Sequence, residues 1–312
     1  MGRRQRPSDE GRLLQLVYYA YVAASRLALA LPEWMAYGLA HVGGSVWWRL
    51  GKKKRAVVER NLSRITGHRP GSQALSTLSR DAFRSYARYW LETFRLVRED
   101  KDFFLSHFRS SDDHKIDEVL ARGKGAIVVV GHLGNWDAAG AWVGARGNTL
   151  VTVAEVLRPR RMFDFFVEHR AKLGMVIHAA EKGVTDKLVA AIENGDVIAV
   201  LGDRDLKGTG PTVQFFGEET TFPAGSASVA LRAAVPLLVA GVYSAVHEDG
   251  SRGWVAEITD PIELPEKPGP EAVQELTERV AEELGRLIAK HPEEWHVFQP
   301  FWTADKKTPV EK

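Results

Sequence analysis

The sequence predicts an α/β protein: a central, mostly parallel sheet flanked by helices, with an N-terminal helical region that associates with a membrane. Three observations predict it. From residue 116 onward, short apolar runs alternate with helical patterns, which implies βαβ units. Residues 11–115 carry helical spacing instead. The run over residues 126–130 is short, continuously apolar and bounded by glycine, the mark of a buried strand.

With 312 residues, 45% hydrophobic and 26% charged, the chain can bury a sizeable core. It is expected to form one continuous unit, with a helical part over 1–115 and an α/β core over 116–312. A net charge of +2 argues against a dedicated nucleic-acid binder. The absence of cysteine excludes a disulfide framework, a thiol nucleophile and a Cys-ligated metal, and fits a reducing compartment.

Taken in order, the chain opens with a basic cluster at Arg3, Arg4 and Arg6, then an apolar run from Leu13 to Leu31. Spanning a bilayer needs roughly 20 predominantly apolar residues. Gln15, Ser25 and Arg26 interrupt this run, and a central Arg is costly in hydrocarbon. Tyr18, Tyr19 and Tyr21 suit an interface, so the helix is expected to lie in the membrane surface. Pro32 can open a second helix. Trp47 and Trp48 stand just before the basic cluster Lys52 to Arg55, and aromatics beside such a cluster suit anionic lipid. Helices follow over 56–66, ended by Gly67, and over 72–98. A polar segment at 110–115 then separates the two parts.

In the second part, strands are expected at 126–130, 149–153, 176–178, 197–201, 237–243 and 254–258, with 213–216 as an edge strand. Helices are expected at 117–122, from Asn135 as N-cap to 143, and at 160–173, 183–193, 225–234 and 270–290. The last carries Val273, Leu276, Val280, Leu284 and Leu287 along one face.

Chemistry is expected at the carboxyl ends of these strands. The strand over 126–130 runs into Gly131, His132, Leu133, Gly134, Asn135, Trp136 and Asp137. His132 and Asp137 form an H-x4-D pair, a weak signal alone, since His107 and Asp112 have the same spacing without a preceding strand. Gly131 and Gly134 would let a substrate approach the backbone. No Gly-x-Ser-x-Gly elbow accompanies His132, and no second His stands at metal-ligand spacing. General base is the role that remains: a neutral imidazole takes a hydroxyl proton as that oxygen attacks a carbonyl.

An acid must then orient the ring. Asp137 serves only if the turn folds back. The strand over 197–201 leads into Gly202, Asp203, Arg204 and Asp205, and in a parallel sheet these would face His132. Asp203 or Asp205 could orient it, and Arg204 could bind an anionic substrate group. Glu155 shares this edge, and Arg158, Arg160, Arg161 and Arg170 behind it could hold phosphate. The Phe222-Pro-Ala-Gly225 turn before a helix could bind phosphate or line the pocket.

The ordered set GHLGNWD, DRDL, FFG, FPAG and the closing Pro292 to Trp302 segment, PEEWHVFQPFW, resembles the lysophospholipid acyltransferase family in its lipid A late-acyltransferase branch. The likeness runs from the N-terminal helices to Trp302 and is strongest to actinobacterial members that acylate phosphatidylinositol mannosides. The resemblance implies that His132 is the catalytic base and Asp137 its motif carboxylate. It implies acyl-CoA as donor substrate with no further cofactor, and a mannose hydroxyl of a phosphatidylinositol mannoside glycolipid as acceptor. It implies a peripheral enzyme on the cytoplasmic face of the cell membrane, against anionic phospholipid. It also places Asp203 where relatives are expected to carry a longer Glu that polarises the histidine. Glu155 and Arg170 fall on supporting positions, and Gly134 and Asn135 belong to the same substrate-facing motif.

Overall fold

A computed structural model describes residues 11–267 and 269–306. The basic cluster at Arg3 to Arg6 and the tail after 306 lie outside them. Five α-helices come first: α1 (Arg12–Ala30), α2 (Glu33–Leu50), α3 (Lys52–Thr66), α4 (Gln73–Arg95) and α5 (Lys101–His107). Pro32 precedes α2, Gly67 ends α3 in the left-handed conformation, and the Ser72 hydroxyl caps α4 by accepting from Leu75 N–H.

The remaining chain is β1 (Phe108–Ser110), α6 (His114–Leu120), β2 (Ala126–Val130), α7 (Trp136–Ala145), β3 (Leu150–Ala154), α8 (Arg160–Lys172), β4 (Met175–Ala179) and α9 (Val184–Glu193). It continues through β5 (Val197–Leu201), β6 (Thr212–Phe215), β7 (Glu218–Thr221), α10 (Gly225–Ala233), β8 (Leu237–Val246), β9 (Arg252–Ile258), α11 (Pro270–Lys290) and the short α12 (Thr303–Lys306).

Seven strands form one sheet in the order β1-β9-β8-β2-β5-β3-β4. The run from β8 to β4 is parallel, and β9 lies antiparallel to β8. The predicted class is therefore the observed one. Alternate residues of β2 enter different cores. Ile127 and Val129 pack with Leu188, Ile192, Leu276 and Leu284, while Val128 and Val130 pack with Phe104, Ile116 and Trp142. Both faces being covered explains the unbroken apolar run. On α11, Leu276, Val280, Leu284 and Leu287 are fully buried, each worth about 1.5–3 kcal/mol relative to exposure.

Two expectations need correction. Residues 213–216 do not edge the main sheet: β6 pairs with β7 in a separate hairpin. Its two-residue turn, Phe216 and Gly217, has positive φ at both positions, the geometry that closes a tight hairpin. In turn, Phe108–Ser110 joins the sheet by pairing parallel to β9, running into the polar segment that is expected to precede every strand.

None of the described helices is long and apolar enough to cross a membrane. The first two nevertheless expose Leu16, Leu27, Trp34, Leu39, Val42 and Leu50.

Candidate active site

Strands β2 and β5 are parallel neighbours, with Val130 level with Leu201. The segments that follow therefore leave the same sheet edge side by side, at the centre of the sheet. This is where open α/β sheets bind their ligands.

His132 and Asp203 meet there. The His132 backbone N–H donates to Asp203 Oδ2 at 2.9 Å, and His132 Nδ1 lies 2.6 Å from Asp203 Oδ1. The Trp295 indole N–H donates to the same Oδ2 at 2.9 Å. Burial alone would raise the Asp203 carboxyl, but the facing His132 and the hydrogen bonds from His132 and Trp295 hold it below its ordinary value. An ionised acceptor on Nδ1 places the proton there and leaves Nε2 with its lone pair. Nε2 faces the Arg204 guanidinium, with Nη1 at 3.4 Å. Asp203 reaches the ring directly despite being shorter than the expected Glu. Asp205 does not touch it. Its carboxylate accepts from Lys207 N at 3.1 Å and Gly210 N at 2.7 Å, closing its own loop.

The Asp137 carboxylate is bonded to residues other than His132. It accepts from Arg170 Nε at 2.6 Å, Tyr89 hydroxyl at 3.1 Å and Thr93 hydroxyl at 3.4 Å. Burial disfavours the Arg170 cation, but Asp137 and Tyr89 more than compensate and raise it above its ordinary value. The motif carboxylate thus ties the first turn of α7 to α4 and α8. At a helix N-terminus, an acid also meets the positive end of the dipole.

Gly134 and Asn135 line neither cavity at His132, contrary to their expected place against substrate. Gly134 is buried with φ of 59°, and a Cβ there would stand 2.1 Å from the Val242 carbonyl oxygen. The protein backbone itself makes the close approach. Asn135 caps α7 by accepting from Ala138 N–H at 3.0 Å, and its amide donates to the buried Glu92 at 3.0 Å. Burial raises the Glu92 carboxyl, against the opposing pull of Arg88, Asn135 and Trp254.

The C-terminal segment clamps the turn. Leu133 bridges to Trp295, Gly134 N–H donates to Glu294 O at 3.0 Å, and His296 N–H donates to His132 O at 2.7 Å. The Trp295 side chain, which fixes Asp203, carried no signal beyond its place in the closing motif. His107 is a decoy: its ring stacks on Phe103 and Asp112 accepts from Ile258 N–H.

Two cavities meet at His132. One, of about 510 Å³, is walled by aliphatic residues including Ile127, Val153, Leu188, Ile198, Val200 and Val229, with Lys207 and the Pro223 to Ser226 turn at its side. The other, of about 490 Å³, is aromatic, with Tyr21, Tyr86, Trp90, Trp136 and Phe166 beside Asp137, Arg158 and Arg170. His132, Glu155 and Arg204 line both. Arg160 is turned to Asp164 and Glu181. Among the described residues, no group of three or more His, Asp or Glu side chains is placed to hold a metal ion.

This geometry is an imidazole, the carboxylate on its Nδ1 and a guanidinium where two cavities join, an arrangement suited to group transfer between two bound molecules. Comparison with known proteins identifies the group. The chain is 33% identical over 294 residues to the phosphatidylinositol mannoside acyltransferase of Mycolicibacterium smegmatis, covering 93% of each chain. It is 31% identical over 293 residues to the enzyme of the same name from Mycobacterium tuberculosis CDC 1551, covering 92% of this chain and 89% of the relative. Residues 7–304 match the bacterial lipid A biosynthesis acyltransferase family, and the chain belongs to that family.

Proposed function

We propose that the protein moves a long fatty acyl chain from acyl-CoA to a mannose hydroxyl of a phosphatidylinositol mannoside, at the cytoplasmic surface of the cell membrane, with His132 as general base. The observation that carries this reading is the placement of His132 Nε2 where an aliphatic and an aromatic cavity meet. The aliphatic cavity suits an acyl chain. The aromatic one offers ring faces for a sugar and polar groups for its hydroxyls. Trp136 Nε1 and His296 Nδ1 are buried without a protein partner, and Glu155 adds a carboxylate. Val17 and Tyr21 of α1 also line it, which joins the sugar side to the exposed apolar helices. The names of the relatives favour a phosphatidylinositol mannoside acceptor.

In this mechanism the acceptor hydroxyl gives its proton to Nε2 as its oxygen attacks the thioester carbon. The Asp203 carboxylate stabilises the imidazolium that forms. Collapse of the tetrahedral intermediate expels the CoA thiolate, which recovers the proton from Nε2.

Mass spectrometry of products from acyl-CoA and a panel of glycolipid and lysophospholipid acceptors tests the reading. Acylated phosphatidylinositol mannoside is expected, lost by about 10²–10⁴-fold in His132→Ala, the usual contribution of a general base. Free fatty acid as the main product would make the protein a thioesterase, and full transfer by folded His132→Ala would remove the base.

A further inference from the structure

We infer that Arg204 is the oxyanion-stabilising group of this reaction, receiving the negative charge that forms on the thioester carbonyl oxygen. The inference rests on the acyl-transfer reading above and adds a residue to it.

The first observation is position. Arg204 Nη1 lies 3.4 Å from His132 Nε2, the atom that accepts the hydroxyl proton. An attacking oxygen held at Nε2 brings the carbonyl carbon to bonding distance, so the carbonyl oxygen falls within reach of the guanidinium. Arg204 also lines both cavities, as a group acting on the bond between two substrates must.

The second is that its charge is free to act. Of the other arginines near the site, Arg170 is committed to Asp137 and Arg88 to Glu294, and Arg158 lines the aromatic cavity but not the aliphatic one. Arg204 pairs with no carboxylate among the described residues. The uncharged neighbour Gln299 has its amide orientation set by Arg204: with the oxygen toward the guanidinium it accepts from Nη2 at 2.8 Å and from Nε, whereas the opposite orientation sets donor against donor. That fixes the plane of the guanidinium and leaves Nη1 toward the reacting atoms. A preorganised donor of this kind costs no rearrangement when charge develops.

The third is that backbone donors on the two flanking turns are already engaged. The His132 N–H is engaged by Asp203 and the Gly134 N–H by Glu294 O. On the opposite loop, the N–H groups of Lys207 and Gly210 are engaged by Asp205.

The step balances as follows. The C–O bond forms while the carbonyl π pair moves to oxygen, opposite Arg204, and the hydroxyl proton moves to Nε2. As the pair returns, the C–S bond breaks and the thiolate takes the proton.

Steady-state kinetics of the full chain with palmitoyl-CoA and a phosphatidylinositol mannoside test the inference on Arg204→Gln and Arg204→Lys, with thermal melts to show folding. Arg204→Gln is expected to lower kcat by about 10²–10³-fold, the cost of removing one oxyanion donor. KM for both substrates should stay within about threefold, and Arg204→Lys should recover at least about tenfold of the loss. A raised KM with unchanged kcat would overturn the inference and make Arg204 a holder of a substrate anion. So would a Lys variant no better than Gln. If the wild type releases free fatty acid instead of acylated lipid, the acceptor reading fails while Arg204 is still tested, because hydrolysis passes through the same oxyanion. A wild type that turns over no acyl-CoA overturns both.

Discussion

Asp203 accepts two hydrogen bonds from one residue, the backbone N–H of His132 and its ring Nδ1. The same carboxylate therefore holds the turn after β2 and selects the ring tautomer. Asp203→Asn keeps an acceptor for the backbone but can present an N–H to Nδ1, which favours the wrong tautomer. Turnover is expected to fall by roughly 10³–10⁴-fold with the fold intact, as tautomer loss does in a related His–Asp arrangement. Asp203→Glu, restoring an acid of the length expected in relatives, should retain more activity than Asn. Kinetics and circular dichroism check both, and an Asn variant with near-normal kcat would show that Asp203 only shapes the turn.

What was legible here follows from where the information lies. The strands over 126–130 and 197–201 are the densest apolar runs near the chemistry, and parallel pairing brings their ends together. His132 and Asp203 could thus be placed at one edge from sequence. Spacing alone could not show which acid faces His132. Asp137 lies in the first turn of α7, and the direction of that turn, set by Asn135 as cap and Gly134 against Val242, points it at Arg170. Trp295 was hidden for another reason: it comes from the far end of the chain, and no local pattern says which atom an indole will reach. The three-residue β1 is too short to show any period.

The Asp137–Arg170 pair carries a stability prediction. Asp137 is 1% exposed and the Arg170 side chain 19%. Removing one partner of such a pair leaves the other charge uncompensated, at about 3–5 kcal/mol. Asp137→Ala should lower the urea midpoint accordingly. The double variant Asp137→Leu, Arg170→Met should recover most of that loss without restoring activity, because Arg170 also lines the aromatic cavity. A single variant as stable as wild type would contradict the clasp.

Gly134→Ala should be among the most damaging small substitutions. The left-handed backbone alone costs about 1–3 kcal/mol for a non-glycine residue. The added Cβ would also overlap the Val242 carbonyl, so the turn must shift and carry His132 with it. Loss of soluble protein or a lowered melting temperature is expected, together with lost transfer in whatever folds. Gly67→Ala, also at positive φ but with open space for a Cβ, should be milder.

Acid sensitivity follows from His296. Burial, and then the Arg88 cation and the neighbouring His132, hold its imidazole well below the ordinary value. His169 is lowered for the same first reason. For a group whose folded pKa is depressed, the unfolded chain binds the proton first. Stability is full above the unfolded value near 6.5 and falls as pH drops below it, by up to roughly 1.4 kcal/mol per pH unit for each such proton. Denaturation midpoints should therefore drop between pH 7.5 and pH 5.5. His296→Gln, which cannot titrate, should show a shallower drop even if it is less stable at pH 7.5.

The membrane surface is the remaining prediction. Trp34 is 77% exposed and Leu27 55%, and neither belongs to an apolar cluster of the described residues. Lys52 and Lys53 are exposed at the start of α3, just after Leu50. Apolar side chains beside exposed lysines suit an anionic bilayer, where each Lys near the surface adds about 1 kcal/mol. The chain should pellet with anionic vesicles at low salt and be released as salt rises. Leu27→Asp with Trp34→Asp should abolish pelleting and leave the melting temperature unchanged, since both side chains already face outward. Transfer to a detergent-dispersed acceptor should survive, because neither residue lines the cavities at His132. If the double variant still pellets, the apolar face does not insert. A variant that instead turns from dimer to monomer would assign that face to a second copy of the chain.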